Sequence, residues 1–293
     1  MKKTLETVFV SFVFLAICLT LLSFNVMADT ASGNFSISSS APTIGDVTLW
    51  NQAGANAAIT PSVSTVTVTA NVTVTDLNGG DDITSATATL YHSTNVSGDS
   101  DDENTHLTNS SCARGATDGN TKVITCSFTM NYMALGGTWT ANISAVDSEA
   151  LAISNTDDNT VNDIAGLDVT DTTINFGSLA LGANSSSAST MTVRSQGNVQ
   201  IDTRFSGNDF TCTSGTVPVG NVRYSTSTGD YDSMSDDLTI SPATQLTFDL
   251  GVRGVATADG ANSEKSEYWT LNVPANGAGG ICTNTLTVTA IAG

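Results

Sequence analysis

The stretch Ser64–Leu77, STVTVTANVTVTDL, decides the fold because apolar and polar side chains alternate along it. One parity is apolar and the other is Thr or Asn; the apolar members are Val66, Val68, Ala70, Val72 and Val74. A repeat of two residues is that of a β-strand with one buried and one solvated face. The stretch therefore predicts a half-buried strand with a polar outer face.

The same alternation recurs along most of the chain, in runs bounded by Gly, Asn or Asp. In the first half the apolar positions are Ala86, Ala88, Leu90, Ile124, Cys126, Phe128, Met130, Trp139, Ala141, Ile143 and Ala145. In the second half they include Ile174, Phe176, Leu246, Phe248, Leu250, Val252, Trp269, Leu271, Val273, Leu286, Val288 and Ala290. The pattern predicts an all-β protein of two tandem immunoglobulin-like β-sandwich domains, 45–155 and 167–293, joined by an acidic linker at 156–166.

The N-terminus has the three parts of an export signal. Lys2 and Lys3 precede an apolar run from Val8 to Phe24, and the small residue Ala28 follows. We predict a signal peptide at 1–28 that is cleaved, the alternative being retention as a membrane anchor. Residues 29–44 then form an extended leader, either a donor strand for a neighbour's sheet or a disordered segment.

The formal net charge of −19 arises from 28 acidic and 9 basic residues in a chain of 293. So acidic a surface repels phosphate backbones and anionic lipid, which excludes nucleic acid as a partner. No long apolar segment recurs after Ala28, so we expect no membrane span in the mature chain.

The cysteines support export. Cys18 leaves with the signal, and the remaining four form two local pairs, which predicts the disulfides Cys112–Cys126 and Cys212–Cys282. Cys282 shares parity with Leu286 and Val288, so its sulfur is expected to point inward. The alternative is a zinc site, but no pair has metal-ligand spacing.

The motif VTDLNGGDDITS crowds oxygen ligands into a turn between strands, and these suit Ca²⁺. The predicted ligands are Asp76, Asn78, Asp81, Asp82 and Asp147, with Glu149, Asp157 and Asp158 joining if they lie at the same end of the sandwich. The alternative is that Asp, Asn and Gly simply make the turn. EF-hand spacing is absent.

The remaining candidate sites are the glycosylation sequons, the tryptophans and the histidines. Six Asn-x-Ser/Thr sequons predict glycosylation, and Asn71 and Asn142 lie on the polar sides of their strands; the six are Asn34, Asn71, Asn95, Asn109, Asn142 and Asn184. Trp139 and Trp269 share parity with core residues, which predicts packing rather than sugar stacking. Neither His92 nor His106 stands among catalytic signatures, so we expect no enzyme.

Two groups of motifs resemble those of secreted Ig-like domains in surface proteins of archaea and some bacteria. The first group is the turn motif at 72–83 and the strand Gly137–Ile143. The second is the strand Ile174–Leu179, the turn Gly197–Val199 and the closing runs Trp269–Pro274 and Thr285–Ala290. The resemblance implies a β-sandwich fold and an extracellular or cell-surface role, and it carries over no catalytic residue.

The leading functional hypothesis is a secreted structural component of a cell-surface assembly, such as a filament, lattice or adhesive layer, with other copies or surface proteins as partners. The alternative is a glycan- or surface-binding adhesion module that uses loops such as 97–119 and an aromatic patch around Trp50, Tyr91 or Tyr132. A weaker alternative is an accessory domain pair for a secreted hydrolase.

Overall fold

The computed structural model of the chain describes residues 31–234, 236–238, 246–252 and 263–293. The predicted signal peptide at 1–28 lies outside the described residues. The N-terminal half contains nine strands: β1 (Thr43–Ile44), β2 (Thr48–Trp50), β3 (Val66–Thr75), β4 (Ser85–His92), β5 (His106–Asn109), β6 (Ala113–Asp118), β7 (Thr121–Met130), β8 (Gly137–Val146) and β9 (Ala152–Val161). A short 3-10 turn, η1, spans Gly80–Asp82 between β3 and β4.

These strands form two antiparallel sheets that pack face to face. Sheet 1 has the order β1-β3-β7-β6, with β2 also paired to β3, and sheet 2 has the order β5-β4-β8-β9. The alternation predicted from the sequence is confirmed, because every second residue of β3, β4, β7 and β8 enters one core. At this core Trp139 is fully buried and donates its indole N–H to the Leu135 carbonyl at 2.8 Å. We call this unit the N-terminal sandwich.

The predicted linker at 156–166 is wrong for its first six residues. Residues 152–161 form β9, which pairs with β8 over ten residues from Val146↔Ala152 to Gly137↔Val161. Its inward side chains are polar because they bond to the backbone of Gly45 and of β2 rather than to apolar side chains. Asp157 accepts from the Leu49 N–H at 2.8 Å, and Asn159 donates to the Leu49 carbonyl at 3.0 Å.

The C-terminal half contains ten strands in the described residues: β10 (Leu167–Val169), β11 (Ser189–Ser195), β12 (Ile201–Gly207), β13 (Phe210–Val217), β14 (Val222–Ser225), β15 (Asp236–Asp237), β16 (Leu246–Leu250), β17 (Glu264–Leu271), β18 (Ala278–Thr283) and β19 (Leu286–Ala292). Sheet 3 has the order β10-β11-β17-β14-β15, sheet 4 the order β16-β12-β19, and sheet 5 pairs β13 with β18. Two more 3-10 turns lie at Val219–Asn221 and Tyr231–Ser233.

A second core fills the space between these sheets. At its centre the Phe205 ring lies 4.7 Å from that of Tyr224 and 5.0 Å from that of Trp269, between centroids. Trp269 is fully buried, as its parity predicts. Aromatic contacts of this kind add about 0.5–1.5 kcal/mol per pair to the burial itself. Whether the two halves fold as separate domains stays a prediction.

Both predicted disulfides are present. Cys112–Cys126 attaches the chain just before β6 to β7, and Cys126 is fully buried in the first core. Cys212–Cys282 joins directly opposite residues of β13 and β18, and both sulfurs pack against the second core, as the parity of Cys282 indicates. Disulfides of this kind are typical of proteins that fold outside the reducing cytoplasm.

The run TTINFGSL, read from the sequence as a strand, forms no strand in the structure, and Gly177 within it has φ 75°. Ile174, Phe176 and Leu179 pack against the second core, while Thr173 and Asn175 face solvent. Among the described residues, positions 171–179 make no backbone–backbone hydrogen bond. The alternation therefore predicted the inward direction of Ile174 and Phe176 correctly and the strand pairing wrongly. It ends at Gly177, because Leu179 packs inward from the opposite parity.

One side chain joins the two halves of the chain. Asn198 donates to the carbonyls of Ala134 and Asn162 at 2.8 and 2.9 Å, and accepts from the Ile164 N–H at 2.6 Å. Asn198 is buried, so these bonds are shielded from water. Within the described ranges, no helix has the length and apolar character needed to cross a membrane.

Candidate metal centre

Three carboxylates converge at one end of the N-terminal sandwich. Asp76 follows β3 of sheet 1, Asp147 follows β8 of sheet 2, and Asp82 ends η1 between the sheets. One carboxylate oxygen from each lies within 4.8 Å of the others. We call this set the aspartate cluster. Because its members come from both sheets, anything bound there would tie the two layers together.

Two glycines shape the turn that brings Asp82 to the cluster. Gly79 has φ 118°, a conformation that L side chains rarely adopt. A Cβ on Gly80 would lie 2.6 Å from the Thr121 carbonyl oxygen, so the chain passes too close to β7 for any side chain. The sequence Asn-Gly-Gly-Asp-Asp thus permits a tight turn that places Asp82 between the two sheets.

Each carboxylate is held in place by one of its oxygens. Asp76 Oδ1 accepts from the Asn78 N–H at 2.8 Å, and Asp147 Oδ1 accepts from the N–H groups of Glu149 and Leu151 at 3.0 and 2.7 Å. Asp82 Oδ1 accepts from the Ser148 hydroxyl. The side chains are therefore positioned by local bonds through Oδ1, and Oδ2 of Asp76 and of Asp82 remains available.

Two of those other oxygens are buried without a partner. Asp76 is completely buried, and its Oδ2 makes no hydrogen bond; the same holds for Oδ2 of the half-buried Asp82. Asp147 is 2% exposed. A buried polar atom that forms no bond costs about 1–3 kcal/mol, and more when it is charged. Oδ2 of Asp76 and of Asp82 can therefore each still accept a ligand contact.

The electrostatics favour a cation. Three carboxylates this close repel one another, and in the part of the chain described no Lys or Arg forms an ion pair with them. Hard oxygen donors in an irregular arrangement are the ligands that Ca²⁺ prefers. The aspartate cluster fits such an ion through Asp76, Asp82 and Asp147, with carbonyls or water filling the remaining positions.

The other predicted ligands lie elsewhere or have other bonds. Asp81 turns to the exposed surface, where its Oδ1 accepts from Lys122 Nζ at 3.1 Å and from Thr117. These hydrogen bonds, that of Thr117 first, lower the pKa of Asp81. Asn78 uses its Oδ1 to accept the Ser40 N–H at 2.9 Å. Asp81 is therefore removed from the predicted ligand set.

The acids of β9 are also removed from it. Asp157 and Asp158 stand opposite Ala141 and Thr140 in the middle of the β8–β9 pair, not at the end where the cluster lies. Glu149 follows Asp147 but accepts from the Ser148 hydroxyl. Sequence reasoning missed Ser39, whose hydroxyl contacts Asp147 Oδ2 at 3.5 Å and Asn78 Oδ1 at 3.4 Å. Ser39 stands in a run of three serines, and nothing in the sequence distinguishes it from its neighbours.

The sequons differ in accessibility. Asn34 is exposed. Asn142 lies on the outer face of β8, as predicted, but its Nδ2 donates to Ser97 Oγ at 3.1 Å and its Oδ1 is buried. Glycosylation stays a prediction at all six sequons, Asn34, Asn71, Asn95, Asn109, Asn142 and Asn184.

The histidines and aromatic residues make structural contacts. His106 is fully buried, with Nδ1 at 2.9 Å from Asp101 Oδ1 and Nε2 at 3.3 Å from the Ser97 carbonyl. Trp50 is 37% exposed on sheet 1, whereas Tyr91 lies on sheet 2 and stacks on His106. Trp50 and Tyr91 thus belong to different sheets and would contribute to separate surfaces. Binding through an aromatic patch around Trp50, Tyr91 or Tyr132 stays a prediction.

Comparison with known proteins gives little. No family model matches the chain, and no curated protein matches it in sequence. Among solved structures, dimeric latent PorU from Porphyromonas gingivalis is similar over 84% of this chain, with 13% identity and a TM-score of 0.26; the chain spans 20% of that protein.

Two streptococcal structures give similar figures. The C-terminal domain of the antigen I/II polypeptide BspA from Streptococcus agalactiae matches 85% of this chain and 95% of its own, with 10% identity and a TM-score of 0.23. That of AspA from Streptococcus pyogenes matches 84% and 99%, with 11% identity and a TM-score of 0.24. At these TM-scores we draw nothing about function from the likenesses.

Proposed function

We propose that the chain is an extracellular structural protein, a component of a cell-surface assembly, whose N-terminal sandwich is locked by a Ca²⁺ ion in the aspartate cluster. The observation that carries the proposal is the pair of buried, unpartnered carboxylate oxygens on Asp76 and Asp82. A cation there neutralises the mutual repulsion and links sheet 1 to sheet 2.

The remaining features support a structural role outside the cell. Two disulfides fasten the chain, and the strongly acidic surface tolerates an ionic medium rich in divalent cations.

Calorimetric unfolding of the full chain, with Ca²⁺ or with a chelator, tests the calcium site. Binding to the folded state raises its stability by RT ln(1 + [Ca²⁺]/Kd), about 2.7 kcal/mol at a hundredfold excess over Kd. We expect Asp76→Asn to abolish this gain. In chelator the same variant should be more stable than the wild type, because one of three repelling charges is gone.

Asp81→Asn is the matched control, since it removes a charge one residue from Asp82 but outside the cluster. It should keep the calcium response of the wild type. A wild-type melting temperature that ignores millimolar Ca²⁺, or a response lost equally in Asp81→Asn, would contradict the proposed site.

A further inference from the structure

A groove opens along one side of the C-terminal half. It has a volume of about 1140 Å³ and runs between the unpaired segment 171–179 and strands β18 and β19. Its walls carry apolar and polar side chains in similar measure, and among the described residues that line it Asp171 alone is charged; the apolar members include Ile174, Phe176, Leu179, Phe210, Leu286 and Val288.

Both sides of this groove carry backbone that lacks a sheet partner. Strand β19 pairs with β12 along one edge, and in the described structure no strand pairs with its other edge. Across the groove, segment 171–179 forms no strand, packs Ile174, Phe176 and Leu179 on the core, and makes no backbone–backbone hydrogen bond among the described residues. The groove therefore has the features of a sheet position from which one strand is absent.

The edge of β19 is also unprotected. Proteins usually blunt an exposed edge with charges, Pro or a covering segment, because free N–H and C=O groups recruit other strands. Strand β19 reads LTVTAIA, without a charge or Pro, and Leu286, Val288 and Ala290 are only half-buried although they pack on the core. An added strand would complete their burial.

The leader of the chain has the complementary pattern. In residues 31–38 Phe35 and Ile37 alternate with Ser36 and Ser38, and the two apolar side chains are 87% and 78% exposed. No charged residue stands between Thr30 and Gly45, so the leader enters an acidic protein without repulsion. Apolar side chains at every second position suit one wall of the groove, and serines suit its open side.

The leader of one copy is too short to fill its own groove. It leaves the N-terminal sandwich at Ser39 and Ser40, which bond at the end that holds Asp147. Asn198 of the C-terminal half bonds to the Ala134 carbonyl near the opposite end of β8, a strand of ten residues that is roughly 30 Å long. Phe35 stands four residues from Ser39 and reaches at most about 14 Å.

We propose that the leader of one copy inserts as a strand into the groove beside β19 of another copy. Phe35 and Ile37 would then face the core of that other copy's C-terminal half. This inference deepens the proposed structural role by naming the partner as another copy of the same chain. Repetition of a contact between two different surfaces yields an open, linear assembly.

The test uses the full chain produced by secretion. Phe35→Asp with Ile37→Asp places charges where the groove is apolar, whereas Ser36→Asp with Ser38→Asp adds the same charge on the outer face. Electron microscopy and light scattering should show assemblies of the wild type and the serine variant, and monomers of the Phe35/Ile37 variant. Wild-type monomers, or assembly of all three, would overturn the inference.

A second measurement tests the groove itself. A labelled peptide with the sequence of residues 30–41 should bind the Phe35/Ile37 variant, whose groove stays empty, and should bind at least about tenfold more weakly when it carries the two aspartates. Equal binding of both peptides, or none by either, would also refute insertion.

The two proposals fail separately. The Phe35/Ile37 variant keeps the aspartate cluster, so its calcium response should equal that of the wild type. Assembly without a calcium response removes the metal site alone, and a calcium response without leader-dependent assembly removes the insertion alone.

Discussion

Strands β9 and β19 are both outer strands, yet one is sealed and the other is open. The side chains of β9 seal its edge, because Asn155, Asp157 and Asn159 bond to the backbone of the N-terminal strands across the gap. Strand β19 offers Leu, Val and Ala along an edge with no partner in the described residues. Polar side chains on an outer strand thus finish a sheet, while apolar ones leave it able to accept another strand.

The buried acids of the two halves differ in a parallel way. The N-terminal sandwich gathers three carboxylates at one end. Among the described residues of the C-terminal half, buried Asp202 accepts from the backbone N–H groups of Phe248 and Asp249, and Glu267 lies between sheets 3 and 4. Glu267 is fully buried and accepts from the Thr203 hydroxyl at 2.8 Å. The aspartate cluster favours the binding of a cation, whereas the surroundings of Glu267 favour the protonated form of its carboxyl.

The largest expected effect concerns that proton. Burial raises the pKa of Glu267 to about 8, with the Thr203 hydrogen bond opposing the shift. Below its ordinary pKa the carboxyl is protonated both folded and unfolded; between that pKa and about 8 only the unfolded chain ionises, so stability falls by about 1.4 kcal/mol per pH unit. The total loss is of the order of 5 kcal/mol.

Glu267→Gln should remove this pH dependence, and its advantage over the wild type should grow as the pH rises to about 8 and then stay constant. Urea unfolding at a series of pH values measures the difference between the two chains. A difference that does not change with pH would show that Glu267 is ionised in the folded state.

A smaller effect is expected from opening the sealed edge. Asp157→Ala leaves the buried Leu49 N–H without its acceptor, which costs about 1–3 kcal/mol. Asp157→Asn keeps an acceptor oxygen and should lose much less. The loss is measured by denaturant unfolding, and equal losses in the two variants would assign the effect of Asp157 to its charge instead of its hydrogen bond.

The smallest effect is expected from closing the open edge. Thr289 is exposed on β19, so Thr289→Lys should change stability by no more than about 0.5 kcal/mol. A lysine on an edge strand discourages strand addition, and self-association should therefore weaken while the melting temperature stays the same. A marked fall in melting temperature would show that the β19 edge is already packed.

Sequence alternation was sufficient to predict the β-class and most of the core, because each residue's parity fixes the face it occupies. It failed at β9, where the inward residues are Asn and Asp that bond to backbone and thus give no apolar signal. It also failed at 171–179, because parity reveals which way side chains point but not whether a neighbouring strand exists.

The candidate site was predictable in part. The turn motif indicated Asp76 and Asp82, and the position after β8 indicated Asp147. It could not separate Asp82 from Asp81, since adjacent residues of a 3-10 turn point in different directions and the partner of Asp81 is Lys122, 41 positions away in the chain. The orphaned oxygens that make the cluster a candidate site depend on burial, which only the fold defines.

The hydrogen bond from the Ser40 N–H to Asn78 Oδ1 has a mechanical consequence. In a string of copies linked through their leaders, tensile load would enter each subunit at Ser40. The N–H of Ser40 bonds to Asn78, which lies two residues after Asp76. The two-residue strand β1 would shear first, unless a cation bound at the proposed aspartate site braced the turn. Calcium concentration would then set the force at which such a thread yields.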